Sequence, residues 1–287
     1  MYQWLDKTLP KRRGTSRILR LLNSIGVRSN RSCVWKMSNG NLLAIDPKEL
    51  FVPWTVGKVC FSTGRLDQAI EDTLVSLIHE GDVVMDIGAN IGYFTAVMAT
   101  QVGGNGHVYS FEPVPGTFHH LLVTCECNSF HQVNAKNIAL GRSSGKVMMR
   151  CDPAVVGWAS LHNHVTGGQG TLVEVEMQKL DELLGNGEIL APSLIKIDVE
   201  GHEYDVLAGA QELLRRYKPK LIFEYNRTAS IAAGWDLQKV CELLQVCGGY
   251  TLYRISEDGP CKFDVLNNAF ADSDNKEFLD VLGIPHE

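Results

Sequence analysis

From residue 83 to residue 247 short apolar runs alternate with longer amphipathic ones, and this alternation restricts the possible folds more than any other feature of the chain. Runs near 83–87, 107–112, 135–140, 193–198 and 220–225 have strand length, while segments near 92–102, 115–128, 203–217 and 236–247 place apolar residues at helical spacing. Parallel neighbours need a long crossover, usually a helix, so the pattern predicts an α/β fold with a mostly parallel, doubly wound sheet covered on both faces. KVMMRCD (146–152) and TLVEVEMQ (171–178) flank the glycine-rich VTGGQG and predict a strand pair inserted before the next crossover. Near the end, YTLYRIS and KFDVLNNAFA have no long helix between them and predict an antiparallel edge.

At 287 residues, 45% hydrophobic and 21% charged, the chain can bury a full core. It has no run of 18 apolar residues and no basic–apolar–small order at its start, so a cytoplasmic enzyme is expected. The eight cysteines form no C-x-x-C pair and no Cys/His ligand spacing, so free thiols are expected and no metal is assigned. Net charge is −6, but residues 1–36 hold nine Lys/Arg against Asp6 alone. Within them Ile18, Leu19, Leu21, Leu22 and Ile25 recur at helical spacing, as in a basic amphipathic helix. Such a helix suits docking on the acidic remainder of the chain. Peripheral contact with an anionic membrane is the alternative, and nucleic acid is disfavoured because the remainder would repel phosphates. CVWKMSNGNLLAID reads as a hairpin about Asn39-Gly40, and LDQAIEDTLVSLIHEGD as a helix stopped at Gly81. The expected division is therefore an N-terminal helix and hairpin lobe over 1–64 and a main domain over 65–287.

Three constellations sit at predicted strand ends. In open α/β sheets ligands bind beyond the carboxyl ends of the strands, where glycines let backbone approach a ligand. Asp86, Gly88, Asn90 and Gly92 occupy the first such turn. A dinucleotide turn would need a third glycine, and a carboxylate ahead of it would repel a pyrophosphate; the same turn suits a ligand carrying an ammonium group. Glu112 ends the next strand, where an acid can accept hydrogen bonds from both ribose hydroxyls. Together they fit S-adenosylmethionine better than NAD, which leaves a nicotinamide-dependent oxidoreductase or a non-catalytic binding protein as rivals. The third constellation is LIKIDVEGHEYDVLAGA, which gathers Asp198, Glu200, His202 and Glu203 just before a helix. Charged groups are costly to gather in this way unless they bind or react.

DIGANIGYFT, FEP, NIALG and KIDVEGHEYDVLAGA, in that order, resemble the FkbM-type methyltransferases over roughly residues 65–256. The resemblance implies a class I methyltransferase sheet of order 3-2-1-4-5-7-6 with its seventh strand antiparallel, and S-adenosylmethionine as cofactor. It also implies that Asp86, Gly88, Asn90 and Gly92 surround the methionine part, that Glu112 holds the ribose, that Asn137 and Ala139 lie near the adenine, and that Asp198 and Glu200 face the methyl-transfer site. The acceptor it implies is a hydroxyl on a small molecule, sugar or glycolipid. An aliphatic hydroxyl needs a base as the new bond forms. Asp198, Glu200 and His202 are the candidates, with Glu224 from LIFEYN as a residue that orients the acceptor; the family pattern itself gives His202 no role.

Overall fold

The computed structural model describes residues 33–46, 65–151, 159–160, 170–256, 261–262 and 278–286. The expected basic N-terminal helix, residues 165–169 of VTGGQG, Trp158, His162, His164 and most of KFDVLNNAFA fall outside the described residues. Strands β1 (Cys33–Lys36) and β2 (Leu42–Ile45) form the hairpin expected at Asn39-Gly40, with Lys36 opposite Leu42. Helix α1 (Gln68–Leu77) starts where Asp67 accepts the Ile70 amide, a side-chain cap on an otherwise orphan donor.

The alternating stretch then runs β3 (Val83–Ile87), α2 (Tyr93–Val102), β4 (His107–Phe111), α3 (Pro115–Asn128) and β5 (Val133–Lys136). After it come β6 (Ala139–Leu140), β7 (Gly145–Cys151), β8 (Ala159–Ser160), β9 (Thr171–Gln178), α4 (Leu180–Gly185), β10 (Leu194–Ile197), α5 (Glu203–Ala208) and α6 (Gln211–Tyr217). The chain closes with β11 (Lys220–Asn226), α7 (Arg227–Ala232), α8 (Leu237–Val246), β12 (Tyr250–Arg254), β13 (Cys261–Lys262) and β14 (Phe278–Pro285). The central sheet has the order β5-β4-β3-β10-β11-β14-β12-β13. Its first seven strands follow the order 3-2-1-4-5-7-6, with β14 antiparallel to both β11 and β12. The inserted pair is β7 with β9, antiparallel, in a second sheet of order β6-β9-β7-β8.

Three local expectations need correction. The strand expected over 135–140 breaks, because Asn137 Nδ2 donates to the Glu112 and Pro113 carbonyls at 2.8 and 2.9 Å and turns the chain toward the second sheet. The helix expected over 203–217 divides at Gly209-Ala210; the Gly209 carbonyl accepts the Asp181 amide, and a Cβ at 209 would lie 2.0 Å from the Gly141 carbonyl. Short helices α4 and α7 interrupt stretches in which no helix was expected. The antiparallel edge expected from YTLYRIS and KFDVLNNAFA is present where it is described, as β12 against β13 through Lys262, and β14 adds a further antiparallel strand between β11 and β12.

Alternation along each strand sorts the core into two layers. Met85, Ile87, Phe111, Ile195, Ile197, Leu221 and Phe223 pack under α4, α5, α6 and α8 through residues such as Leu183, Val206, Leu213 and Val240. Val84, Val108, Leu194, Ile222 and Leu282 face the other way, against Ile70, Leu74, Phe94 and Met98 of α1 and α2. Leu43 and Ile45 of the hairpin join this second layer, and the Ala44 amide donates to Thr124 Oγ1 at 2.9 Å. No helix among the described residues is long and apolar enough to cross a membrane.

Candidate active site

On the α1/α2 face, rows that are apolar at one end of the sheet turn polar at the carboxyl ends of the parallel strands. Two residues beyond Val84, Val108, Leu194 and Ile222 on their strands come Asp86, Ser110, Lys196 and Glu224, and two before Leu282 on the antiparallel strand comes Asp280. Register aligns them: Asp86 is opposite both Ser110 and Lys196, and Glu224 is opposite Asp280. Asp198 follows Lys196 by two and so shares its face.

The first turn is bonded mainly to the end of β4, where the Phe111 carbonyl accepts the Gly88 and Ala89 amides. Asp86 is fully buried; its Oδ2 accepts from Thr95 Oγ1 at 2.6 Å, and Thr95 lies 2.9 Å from Ser110 Oγ. Asp86 Oδ1 has no hydrogen-bond partner among the described residues and sits 3.7 Å from Lys196 Nζ. Asp86 thus lies beneath the turn, as its support. Burial raises its pKa, with the Lys196 charge pulling the other way. Gly88, at φ 79°, is where the turn meets the end of β10: a Cβ there would be 1.8 Å from the Asp198 carbonyl oxygen. Asn90 holds a left-handed backbone at φ 52°, and its side chain accepts the Ile91 amide. Gly92 caps α2.

Glu112 faces this turn. Its Oε2 accepts the Asn90 amide at 3.0 Å and its Oε1 the Val114 amide at 2.8 Å, so one carboxylate fastens the first turn to the end of β4. Burial pushes its pKa up to about 7 against the pull of those two amides. Asn137 hangs from the Glu112 and Pro113 carbonyls, and Ala139 is buried against the second sheet, which places both beyond the same strand end.

After β10 the picture changes. Asp198, one-third exposed at its side chain, receives Lys196 Nζ at 3.2 Å. Glu200 is half-buried, at φ 53°, and makes no hydrogen bond among the described residues. A left-handed non-glycine backbone is costly, and such strain clusters where geometry serves function. Burial, then the Asp198 charge, raises Glu200 to about 7. Glu224 and Asp280 stand across the β11–β14 ladder, raised to about 9 and about 7, first by burial and then by neighbouring acids: Asp198 and Glu200 for Glu224, Asp67 and Asp198 for Asp280.

The motif loop is held from within. Glu203 Oε1 accepts the Val199 and Gly201 amides, and burial raises its pKa to about 8. It therefore acts as a loop clamp more than as a first-turn helix acid. Trp235 Nε1 donates to the Gly201 carbonyl at 2.8 Å, a role its sequence position beside the capping Asp236 does not suggest. His202 Nδ1 meets Asp205 Oδ2 at 3.0 Å, and Asp205 pairs with Arg142 beyond β6, so Asp205 links α5 to the second sheet and the imidazole braces it. Among the described residues no group of three or more His, Cys, Asp or Glu is arranged to hold a metal ion.

Sequence reasoning missed Lys196, Thr95, Ser110 and Asp280. Lys196 carried a readable signal, since a lysine inside an apolar run on a central parallel strand must find anionic partners. Asp280 carried none, because its strand was not anticipated.

Residues 86–249, more than half of the chain, match the FkbM methyltransferase domain. A hexuronic acid methyltransferase of Haloferax volcanii is 30% identical over 180 residues, which span 63% of this chain and 68% of that one. Methyltransferase 1 of Beauveria bassiana is 28% identical over 155 residues, 48% of this chain and 62% of its own. The crystal structure of an FkbM methyltransferase from Methylobacillus flagellatus overlays 78% of this chain and 46% of its own, with 18% identity and a TM-score of 0.46. The residue types suit the cofactor: carboxyls at consecutive strand ends for hydroxyl and ammonium groups, and a turn that Gly88 and Gly92 let pack closely on β10 and α3. The chain belongs to the FkbM methyltransferase family and is an S-adenosylmethionine-dependent methyltransferase.

Proposed function

We infer that the chain methylates a hydroxyl oxygen on a small molecule, sugar or glycolipid. The observation that carries this reading is Glu200, a half-buried acid without hydrogen-bond partners among the described residues, on strained backbone and with a pKa near 7. General-base catalysis works best when the base titrates near the operating pH, and an aliphatic alcohol needs such a base. The name of the archaeal relative supports a sugar among the acceptor classes.

The cofactor supplies a methyl group already activated on a sulfonium. The residues that would hold it are Asn90, Glu112, Asn137, Ala139 and Asp198, with Gly88 and Gly92 shaping the turn and Asp86 bracing it from below. Alignment is the protein's main contribution, because a displacement at carbon requires the acceptor oxygen in line behind the methyl. Glu200 takes the acceptor proton. Glu224, protonated at neutral pH because burial and neighbouring acids raise it to about 9, donates a hydrogen bond to the acceptor and orients it. His202 acts through Asp205 on the placement of α5. The division at residue 64, with the basic segment touching an anionic membrane or the body of the chain, belongs to the same proposal.

Calorimetric titration with S-adenosylhomocysteine beside NAD, followed by an acceptor panel of neutral sugars, uronates, lipid-linked sugars and small alcohols, tests the reading. Micromolar binding of the nucleoside alone and product release with one hydroxyl class are expected; preference for NAD, or methylation only of amines or thiols, would sink it. With a hydroxyl acceptor, turnover rises through about pH 7 as Glu200 loses its proton and declines near pH 9 as Glu224 loses its own.

A further inference from the structure

Lys196 is 2% exposed, in the middle of the central sheet, and the mechanism above leaves it unused. A buried ammonium is tolerated only when paired. Its pairs are Asp86 of β3 at 3.7 Å and Asp198 at 3.2 Å, and its head lies 4.6 Å from the centre of the Phe94 ring. Through Asp86 the contact continues to Thr95 and Ser110, so one chain of polar groups crosses β10, β3, α2 and β4.

The two pairs are not equivalent. Asp86 is sealed in and requires a counter-charge wherever it is ionised. Asp198 is one-third exposed and water would otherwise solvate it. The shorter contact is nevertheless with Asp198. A lysine stem is flexible, but here the aromatic ring and Asp86 fix its head, so it draws a cleft-facing acid onto the floor of the sheet.

We propose that Lys196 is a positioning residue: its ammonium ties Asp198 to Asp86 over the Phe94 ring and so fixes the orientation in which Asp198 receives the cofactor. The proposal rests on the assignment of this strand-end cleft to S-adenosylmethionine. Lys196 touches neither cofactor nor acceptor; it acts through Asp198. A role as mere counter-charge to Asp86 predicts something different, because removing the Asp86 charge would then make the lysine dispensable.

The test uses S-adenosylhomocysteine as probe, with calorimetric Kd and the melting temperature of the ligand-free protein measured for the wild type, Lys196→Met, Asp86→Asn and the double variant Asp86→Asn/Lys196→Met. Lys196→Met is expected to bind at least tenfold more weakly (about 1.4 kcal/mol) and to melt earlier, because buried Asp86 loses its counter-charge. The double variant melts as Asp86→Asn does but binds at least tenfold more weakly than Asp86→Asn, a separation that a counter-charge role cannot produce. Wild-type affinity in Lys196→Met, or a double variant that binds as Asp86→Asn does, overturns the proposal and leaves the cofactor assignment standing. No binding by the wild type overturns both. If Lys196→Met fails to fold, the double variant against Asp86→Asn decides alone: tenfold weaker binding supports the proposal and equal binding ends it.

Discussion

The turns after β3 and β10 contain the same kinds of residue, acids, a glycine and one non-glycine residue in left-handed backbone, yet they differ in where their acids spend their oxygens. In the first turn Asp86 takes Thr95, and Glu112 takes two backbone amides. In the second, Asp198 takes Lys196 and Glu203 takes two amides, but the side-chain carboxyls of Glu200 and its neighbours Glu224 and Asp280 take no hydrogen bond among the described residues. A carboxylate whose oxygens are held by backbone donors sets shape, and one left half-buried without donors is free to exchange its proton with a ligand; burial raises both kinds, Glu112 and Glu200 alike to about 7. The proposed division into cradle and reactive edge rests on which carboxyls lack donors, and residue type alone does not show it.

The strongest way to break the cradle is Gly88→Ala. The added methyl would meet the Asp198 carbonyl at 1.8 Å, and neither β3 nor β10 can move without opening the central ladder. Since φ is also 79° there, overpacking and backbone strain coincide, and a loss of about 4 kcal/mol or more is expected in urea unfolding. A variant as stable as the wild type would mean that the two turns are not in contact as described.

Glu200→Gln attacks the reactive edge and should spare the fold. Turnover with a hydroxyl acceptor is expected to fall by about 10² to 10⁴, with the S-adenosylhomocysteine Kd changed less than about twofold, and the rise in rate through about pH 7 should disappear. Glu112→Gln sharpens the contrast from the other side. It replaces one of two amide acceptors by a donor, so the link between Asn90 and Val114 loosens; affinity should drop about tenfold (about 1.4 kcal/mol) while turnover at saturating cofactor changes little. Equal effects of the two variants on binding would erase the distinction between the turns.

How much of this was legible in the sequence follows from the range of the interactions involved. The parallel order was readable because strands and crossovers are each encoded over a few consecutive residues, and the positions of Gly88, Glu112, Asp198 and Glu200 at strand ends follow from the same pattern. What was not readable depends on contacts between distant segments. That Asp86 is sealed under the turn follows from Thr95 and Lys196 meeting it from two other elements. That the helix after the motif divides at Gly209 follows from Gly141 approaching it from the second sheet. Asp280 enters the site only because β14 inserts between β11 and β12, a pairing that no local pattern announces.

The smallest expected effect tests both turns at once without any substitution. Glu112, Glu200, Glu203, Glu224 and Asp280 all have folded-state pKa values of about 7 to 9, against ordinary values of 4.5 for Glu and 3.8 for Asp. In the unfolded chain these carboxyls are already deprotonated at pH 6, whereas the folded protein keeps protons on them. The folded state therefore binds more protons in this range, and stability must decline as pH rises from about 5 toward 9, the reverse of the usual behaviour of salt-bridged acids. Lys196, whose pKa is raised by Asp198 and Asp86 in spite of burial, stays charged through this window and does not change the sign. Solvent screening at the half-exposed members reduces the sum, so a drop in melting temperature of roughly 5 °C between pH 6 and pH 9 is expected for the ligand-free protein. Saturating S-adenosylhomocysteine should shrink the part of the slope that belongs to Glu112 and leave the part from Glu224 and Asp280. A flat or rising profile would mean that these acids are solvated in the folded protein and that the reactive edge is more open than its burial indicates.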